Sequence, residues 1–260
     1  MIRKVDSAAE IKTVVTLGAS NLTRGFHTVV TTSRAVWGEQ VQVLAALGHG
    51  RSYGVRSRFV VRTLPGILES GLWRHLESHP AGLTRALVTD VGNDILYGFT
   101  AEQVLAWVEE AVDRLGRVTT DIALTDLPLA SIRRLSAAKF LVFRSILVPS
   151  CRLSLARVIE TSERVNAGLA ALAAARGLRF ARLNPEWYGV DPIHIRPSHW
   201  RAAWQEILGV RSAGAVERGA RGEALRLYLR PAEREWVCGV ERFTAQPGAA
   251  LAAGARVSLF

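Results

Sequence analysis

Four short stretches carry side chains that can do chemistry together. They are Gly18-Ala19-Ser20-Asn21, the glycine-rich run LGHGRSYG (47–54), Gly92-Asn93-Asp94 and Asp191-Pro192-Ile193-His194. A serine hydroxyl is a poor nucleophile until a base removes its proton. A histidine serves as that base when a carboxylate fixes its tautomer and steadies the imidazolium. The oxyanion of a tetrahedral intermediate needs donors aimed at it, and glycine amides with an asparagine carboxamide are suitable. Ser20, His194, Asp191 three residues before it, Asn93, and Gly48 or Gly50 are therefore the parts of an acyl-transfer site.

Such parts work only if the chain brings them to one place. Short apolar runs recur at TVVTLG (13–18), VQVLAAL (41–47), TRALVTDVG (84–92), DIALTDLP (121–128) and LRFARLN (178–184). Continuous runs of this kind suit strands covered on both faces, as in a parallel sheet. Between them lie helical patterns. Thr100 and Gln103 form a capping box, an apolar face runs through Val104, Val108, Ala111, Val112 and Leu115, and Gly116 closes the segment. A longer helix is predicted over 154–176, and others over 22–37, 67–78, about 131–146 and 198–208. Strands alternating with helices predict a three-layer α/β fold with a five-stranded parallel sheet. Ligands in such folds bind beyond the carboxyl ends of the strands, where the four stretches fall.

The alternation stops near residue 209, so residues 1–208 read as the α/β domain. Residues 209–223 are small and polar and read as a linker, and 224–260 read as a small β appendage. Its strand candidates are LRLYLR (225–230), EWVCGVE (235–241) and ARVSLF (255–260).

The four stretches, in this order and each after a predicted strand, resemble the sequence blocks of the SGNH (GDSL-type) hydrolase superfamily over about residues 13–208. Gly18-Ala19-Ser20-Asn21 matches the GDS block, Gly50 or Gly48 the second block, Gly92-Asn93-Asp94 the GxND block, and Asp191 to His194 the DxxH block. The resemblance implies a flavodoxin-like α/β/α fold and a serine esterase or deacylase working through an acyl-enzyme. Ser20 would be the nucleophile, His194 the general base and Asp191 its orienting carboxylate. The amides of Ser20 and Gly50 and the side chain of Asn93 would form the oxyanion hole. No metal or organic cofactor is implied. Ala19 stands where the family carries the Asp of GDS, a residue that supports the nucleophile turn, and Asn21 can hold that turn instead.

Arg24, Arg51 and Arg196 sit on segments near the implied site. Arg binds carboxylate and phosphate bidentately, so an anionic group on the small-molecule ester substrate is one reading of these residues; that they pair with Asp94 or point to solvent is the other. Trp187 is a candidate pocket wall or a core residue. An O-acyltransferase would use the same residues, and a non-catalytic binding module of this fold is the remaining alternative. His199 is a rival to His194 but falls in the following helix. His75 and His79 have a metal-compatible spacing without a third ligand. LGHGRSYG does not keep the register of a dinucleotide-binding loop.

The formal charge of +10 raises nucleic acid or an anionic membrane as partners. The basic residues are thirty Arg with Lys4, Lys12 and Lys139, scattered with Arg133-Arg134 the only adjacent arginine pair, and from Val210 onward eight Arg face five Glu. Without basic blocks interleaved with aromatics, nucleic-acid binding is not expected. Cys151 and Cys238 form no disulfide framework, the first residues lack a signal-peptide core, and no run is long enough to insert across a bilayer. A cytoplasmic protein is expected on those grounds.

Overall fold

The structure is a computed structural model and describes residues 12–78, 83–210, 221–251 and 254–260. The start of the chain, His79 and most of the expected linker lie outside these residues.

The first half of the chain runs β1 (Thr13–Leu17), α1 (Ser20–Trp37), β2 (Gln42–Ala46), the hairpin β3 (Ser57–Phe59) and β4 (Arg62–Leu64), α2 (Leu72–Ser78), β5 (Leu83–Val88), α3 (Asn93–Leu96), α4 (Ala101–Gly116) and β6 (Ile122–Thr125). There follow α5 (Leu129–Ile132), α6 (Ala137–Leu147), α7 (Leu155–Arg176), β7 (Arg179–Ala181), α8 (Trp200–Ile207) and α9 (Arg221–Tyr228). The last elements are β8 (Arg234–Val237), β9 (Val240–Phe243), β10 (Ala249–Ala250) and β11 (Arg256–Leu259).

The five expected strands pair in parallel in the order β2-β1-β5-β6-β7, the flavodoxin-like arrangement. Successive side chains of a strand point to opposite faces, and both faces here are covered. Val15, Leu17, Ala86, Val88 and Leu124 pack against α2, α4 and α7, while Val14, Val43, Leu87 and Ala123 pack against α1, α8 and α9. That double burial explains why the strands read as unbroken apolar runs. The capping box at α4 is present: the Thr100 side chain accepts from the Gln103 amide, and the Gln103 side chain accepts from the Thr100 amide. Gly177 ends α7 in the left-handed conformation at φ +63.

The C-terminal strands do not form a sheet of their own. β11 adds to the main sheet, parallel to β2, and β10 pairs antiparallel beyond it, giving seven strands. β8 and β9 join the β3–β4 hairpin in a second, four-stranded antiparallel sheet. The period-two pattern of LRLYLR predicts a strand, but most of it lies in helix α9. A strand would have put Leu225, Leu227 and Leu229 on one face; only Leu227 is buried, against the α1 layer, and the other two are exposed. Tertiary packing on α1 overrides the alternation.

The expected helix over 131–146 is two, α5 and α6, separated by a turn that ends at the Ser136 N-cap, whose hydroxyl accepts from the Lys139 amide.

Candidate active site

β1 ends at Leu17, and α1 starts three residues later with Ser20 in its first turn. β5 ends at Val88, and Asn93 opens α3. β1 and β5 are neighbours at the point where the strand order reverses, so Ser20 and Asn93 stand side by side at the carboxyl edge of the sheet. The loop after β7 returns His194 to the same edge. His194 Nε2 lies 2.9 Å from Ser20 Oγ, and His194 Nδ1 lies 2.7 Å from Asp191 Oδ2. The other carboxylate oxygen of Asp191 accepts from the amides of Ile193 and His194, both at 3.2 Å. A serine, an imidazole and a carboxylate thus form a continuous hydrogen-bonded row.

Burial pushes the Asp191 carboxyl up, but the hydrogen bond to His194, its charge and the two amides outweigh this, and Asp191 titrates below its ordinary value. It is therefore anionic wherever the imidazole works. His194 itself is buried, whereas the Asp191 carboxylate is half-buried at the outer end of the row.

The turn that carries Ser20 is held by a residue that sequence reasoning missed. Asp90 Oδ2 accepts from the amides of Ala19 and Leu22, each at 3.0 Å, and Oδ1 accepts from Asn21 Nδ2 at 2.9 Å. Its φ of +58 is left-handed, a conformation that Asp tolerates better than most residues, and it turns the carboxylate back toward α1. The carboxylate absent at Ala19 is thereby supplied across the strand boundary. Asn21 extends the connection: its amide also donates to Ile193 O at 2.8 Å, and its Oδ1 accepts from the Ile195 amide at 2.8 Å. The two residues flanking His194 are thus tied to the turn that carries Ser20. A carboxylate near the end of the third apolar run, at the edge where the other blocks fall, is the available signal.

The second and third blocks are also tied together. Asp94 is fully buried and accepts from the Ser52 hydroxyl and, at 2.9 Å, from the Tyr53 amide, so it fixes the loop after β2. Burial pushes its carboxyl up to about 6 against those two bonds. The Tyr97 hydroxyl donates to Gly50 O, and Asn93 Nδ2 donates to Arg51 O at 3.4 Å. Gly50 has a φ of +63, and a Cβ there would lie 2.8 Å from the Tyr97 hydroxyl, so glycine is required twice over. His49, beside it, stacks on Phe59 and meets the Tyr228 hydroxyl at 3.1 Å. Burial, then the charges of Arg24, His194 and Arg62, lower His49 to about 4, leaving it neutral at pH 7.

The three arginines separate. Arg51 does not reach a substrate: it is wholly buried, and its guanidinium donates to Pro65 O at 3.1 Å, Leu47 O at 3.2 Å and Phe260 O. It occupies the carbonyl ends of β2 and β11, where unpaired acceptors need donors. Burial, then the Arg62 charge, lowers it to about 9, still cationic at neutral pH. Arg196 donates to Glu186 O at 2.6 Å and meets His199 Nε2 at 2.8 Å, so it braces its own loop. Trp187 is buried in the α1–α8 core rather than lining a pocket. Arg24 alone of these stands at the row, with Nη1 3.7 Å from Asp191 Oδ2 and its side chain partly exposed.

Ser20 and Asn93 open onto a largely apolar cleft that is partly open to solvent. Its walls come from Leu96, from Leu127, Ile132 and Leu135 around α5, from Phe140 and Phe143 on α6, and from Val158 on α7. Asp126, Arg144 and Ser162 are polar groups in this lining. Burial pushes Asp126 up to about 6 against the Leu183 amide, which donates to it at 2.7 Å, and the Arg182 charge.

No family model matches the chain, and no curated protein sequence matches it. Among solved structures, one crystal structure is similar at 17% identity with a TM-score of 0.51, over 76% of this chain and 96% of that one. This likeness is one of fold. The psychrotrophic esterase EstA from Pseudoalteromonas sp., in a structure inhibited by monoethylphosphonate, matches at 12% identity and a TM-score of 0.46, over 76% of this chain and 95% of its own. A GDSL-like lipase from Bacteroides thetaiotaomicron matches at 12% identity and a TM-score of 0.46, over 76% of this chain and 87% of its own.

Proposed function

We propose that the protein is an SGNH-type serine hydrolase that cleaves carboxylic esters through an acyl-enzyme on Ser20. The observation that carries this reading is the Ser20–His194–Asp191 row opening onto an apolar cleft. Ser20 Oγ attacks the ester carbonyl carbon as His194 Nε2 takes the hydroxyl proton. Asp191 holds the Nδ1 proton and stabilises the imidazolium. The carbonyl oxygen, now an anion, is met by the amides of Ser20 and Gly50 and by the Asn93 carboxamide. When the intermediate collapses, the bond to the alcohol oxygen breaks and His194 returns the proton to it. Water then repeats the sequence, with His194 as base, and releases the acid and free Ser20.

The cleft walls are mostly hydrocarbon, so they suit the acyl chain. Each methylene buried contributes about 0.8 kcal/mol, so kcat/KM is expected to rise roughly fourfold per added methylene until the cleft is filled. Arg24 is the cation beside the row, so an anionic group on the leaving alcohol would meet it. Arg24→Ala should then lower kcat/KM for an anionic ester more than for its neutral counterpart; equal loss on both would remove that part of the proposal.

A fluorophosphonate probe tests the reaction itself. Wild type should be labelled covalently and Ser20→Ala should not. An unlabelled wild type would refute the hydrolase reading, and equal labelling of both would place the nucleophile elsewhere.

A further inference from the structure

Between Asp126 and Glu160 the chain contains no carboxylate and six basic residues: Arg133, Arg134, Lys139, Arg144, Arg152 and Arg157. Helix α6 lies in the middle of this stretch and is apolar on two sides. Its inner side sends Phe140 and Phe143 to the cleft. Its outer side presents Leu141, Val142 and Ile146 to solvent, 49%, 59% and 70% exposed. At about 100° per residue these three, with Ala138 and Ser145, share one face. A surface helix ordinarily turns charge outward. Single exposed apolar side chains are unremarkable, but three together on the helix that walls the apolar cleft form a patch.

We propose that α6 is a lipid-facing lid that docks the protein peripherally on an anionic lipid surface. Leu141, Val142 and Ile146 enter the boundary between headgroups and acyl chains, and Arg134, Lys139 and Arg152, all exposed, meet the lipid phosphates. Charge decides the partner. A second copy of this chain would set one carboxylate-free, basic stretch against another, whereas an anionic surface complements it. Continuity decides the purpose: the same helix has Phe140 and Phe143 on the cleft, so an acyl chain leaving the surface passes along it toward Ser20. This purpose rests on the acyl-ester reading; the docking does not. No helix among the described residues is long and apolar enough to cross a membrane, and a peripheral dock requires none.

Co-sedimentation of the full chain with vesicles tests the docking. Wild type should bind vesicles of phosphatidylcholine with phosphatidylglycerol, and bind phosphatidylcholine alone far more weakly. L141S/V142S/I146S should weaken binding by about tenfold or more while turnover of a short-chain ester dissolved as monomer is kept. Arg134→Gln with Arg152→Gln, which leaves the apolar face intact, should also weaken binding and flatten its salt dependence. Ser20→Ala should bind as wild type does, so docking and catalysis are read separately. Failure of wild type to bind the mixed vesicles at low salt would overturn the proposal. Wild-type binding by the triple serine variant, or by the double glutamine variant, would do the same. So would a soluble dimer that the triple variant alone dissolves, since a second copy would then be the occupant of this face.

Discussion

A serine at a strand-to-helix turn must hold its hydroxyl at a fixed distance from the imidazole, and a loose turn loses that distance first. Here three hydrogen bonds to one carboxylate, Asp90, fix the turn. Hydrogen bonds to a charged group are worth roughly 1.5–3 kcal/mol each, so their joint loss exceeds a tenfold change in rate. Asp90→Ala is therefore expected to lower kcat at least tenfold on a short-chain aryl ester with little change in KM, since Asp90 acts through the turn. Equal kcat in wild type and variant would leave Asp90 without a role in positioning. Ser20, Asp191, His194 and Asn93 could be singled out in the sequence because each lies on a segment after a predicted strand, in a block that resembles the SGNH pattern, and the structure brings Ser20, His194 and Asp191 into one row. Asp90 was not, because its role depends on a left-handed backbone that residue type only weakly signals. Arg51 was misread for a similar reason: a guanidinium on a glycine-rich loop looks solvent-facing, and its three carbonyl partners come from Leu47, Pro65 and Phe260, the last two of them distant in sequence.

At the scale of elements, the site depends on how α1 and α8 meet. α1 begins with Ser20, and α8 follows the loop that carries His194. Gly25 lets them approach: a Cβ at that position would lie 2.0 Å from Trp204 Nε1, and Trp204 is fully buried. Gly25→Ala forces the two helices apart or displaces the indole. Overpacking of this kind costs about 1–3 kcal/mol. The variant should show a lower thermal midpoint and also a lower kcat, because the displaced helices carry the row. A destabilised protein with unchanged kcat would mean that the shift is absorbed away from Ser20. The capping box offers a contrast. Thr100→Ala should cost about 1 kcal/mol of stability, measured by urea unfolding, and leave kcat unchanged, since α4 lies beneath the sheet rather than at its working edge. The sequence announced that cap directly, because all its partners lie within one turn. It could not announce the α1–α8 contact, whose partners are far apart.

For the molecule as a whole, pH acts through two carboxyls of opposite character, one half-buried and one fully buried. Asp191 titrates below its ordinary value, so its contribution to stability is present at neutral pH and is lost as pH falls through its folded pKa. Asp94 is displaced from 3.8 up to about 6, chiefly by burial. Between those values the folded chain holds a proton that the unfolded chain has released, so stability falls as pH rises through that window and is level above it. The contribution is on the order of 2–3 kcal/mol. Asp94→Asn should remove this fall, read as the difference between wild-type and variant urea midpoints from pH 4 to 7. A constant difference across that range would show that Asp94 does not titrate there.

The place of β11 in the main sheet has a consequence for how the protein is made. Arg51, next to the glycine of the second block, takes one of its three anchors from Phe260, 209 positions along the chain. A ribosome delivers the nucleophile turn, the loop after β2 and the row of Ser20, Asp191 and His194 well before it delivers that anchor. On the proposed reading, a released chain truncated after residue 210 would carry every reacting group yet lack that anchor, and it is expected to turn over esters poorly compared with the full chain.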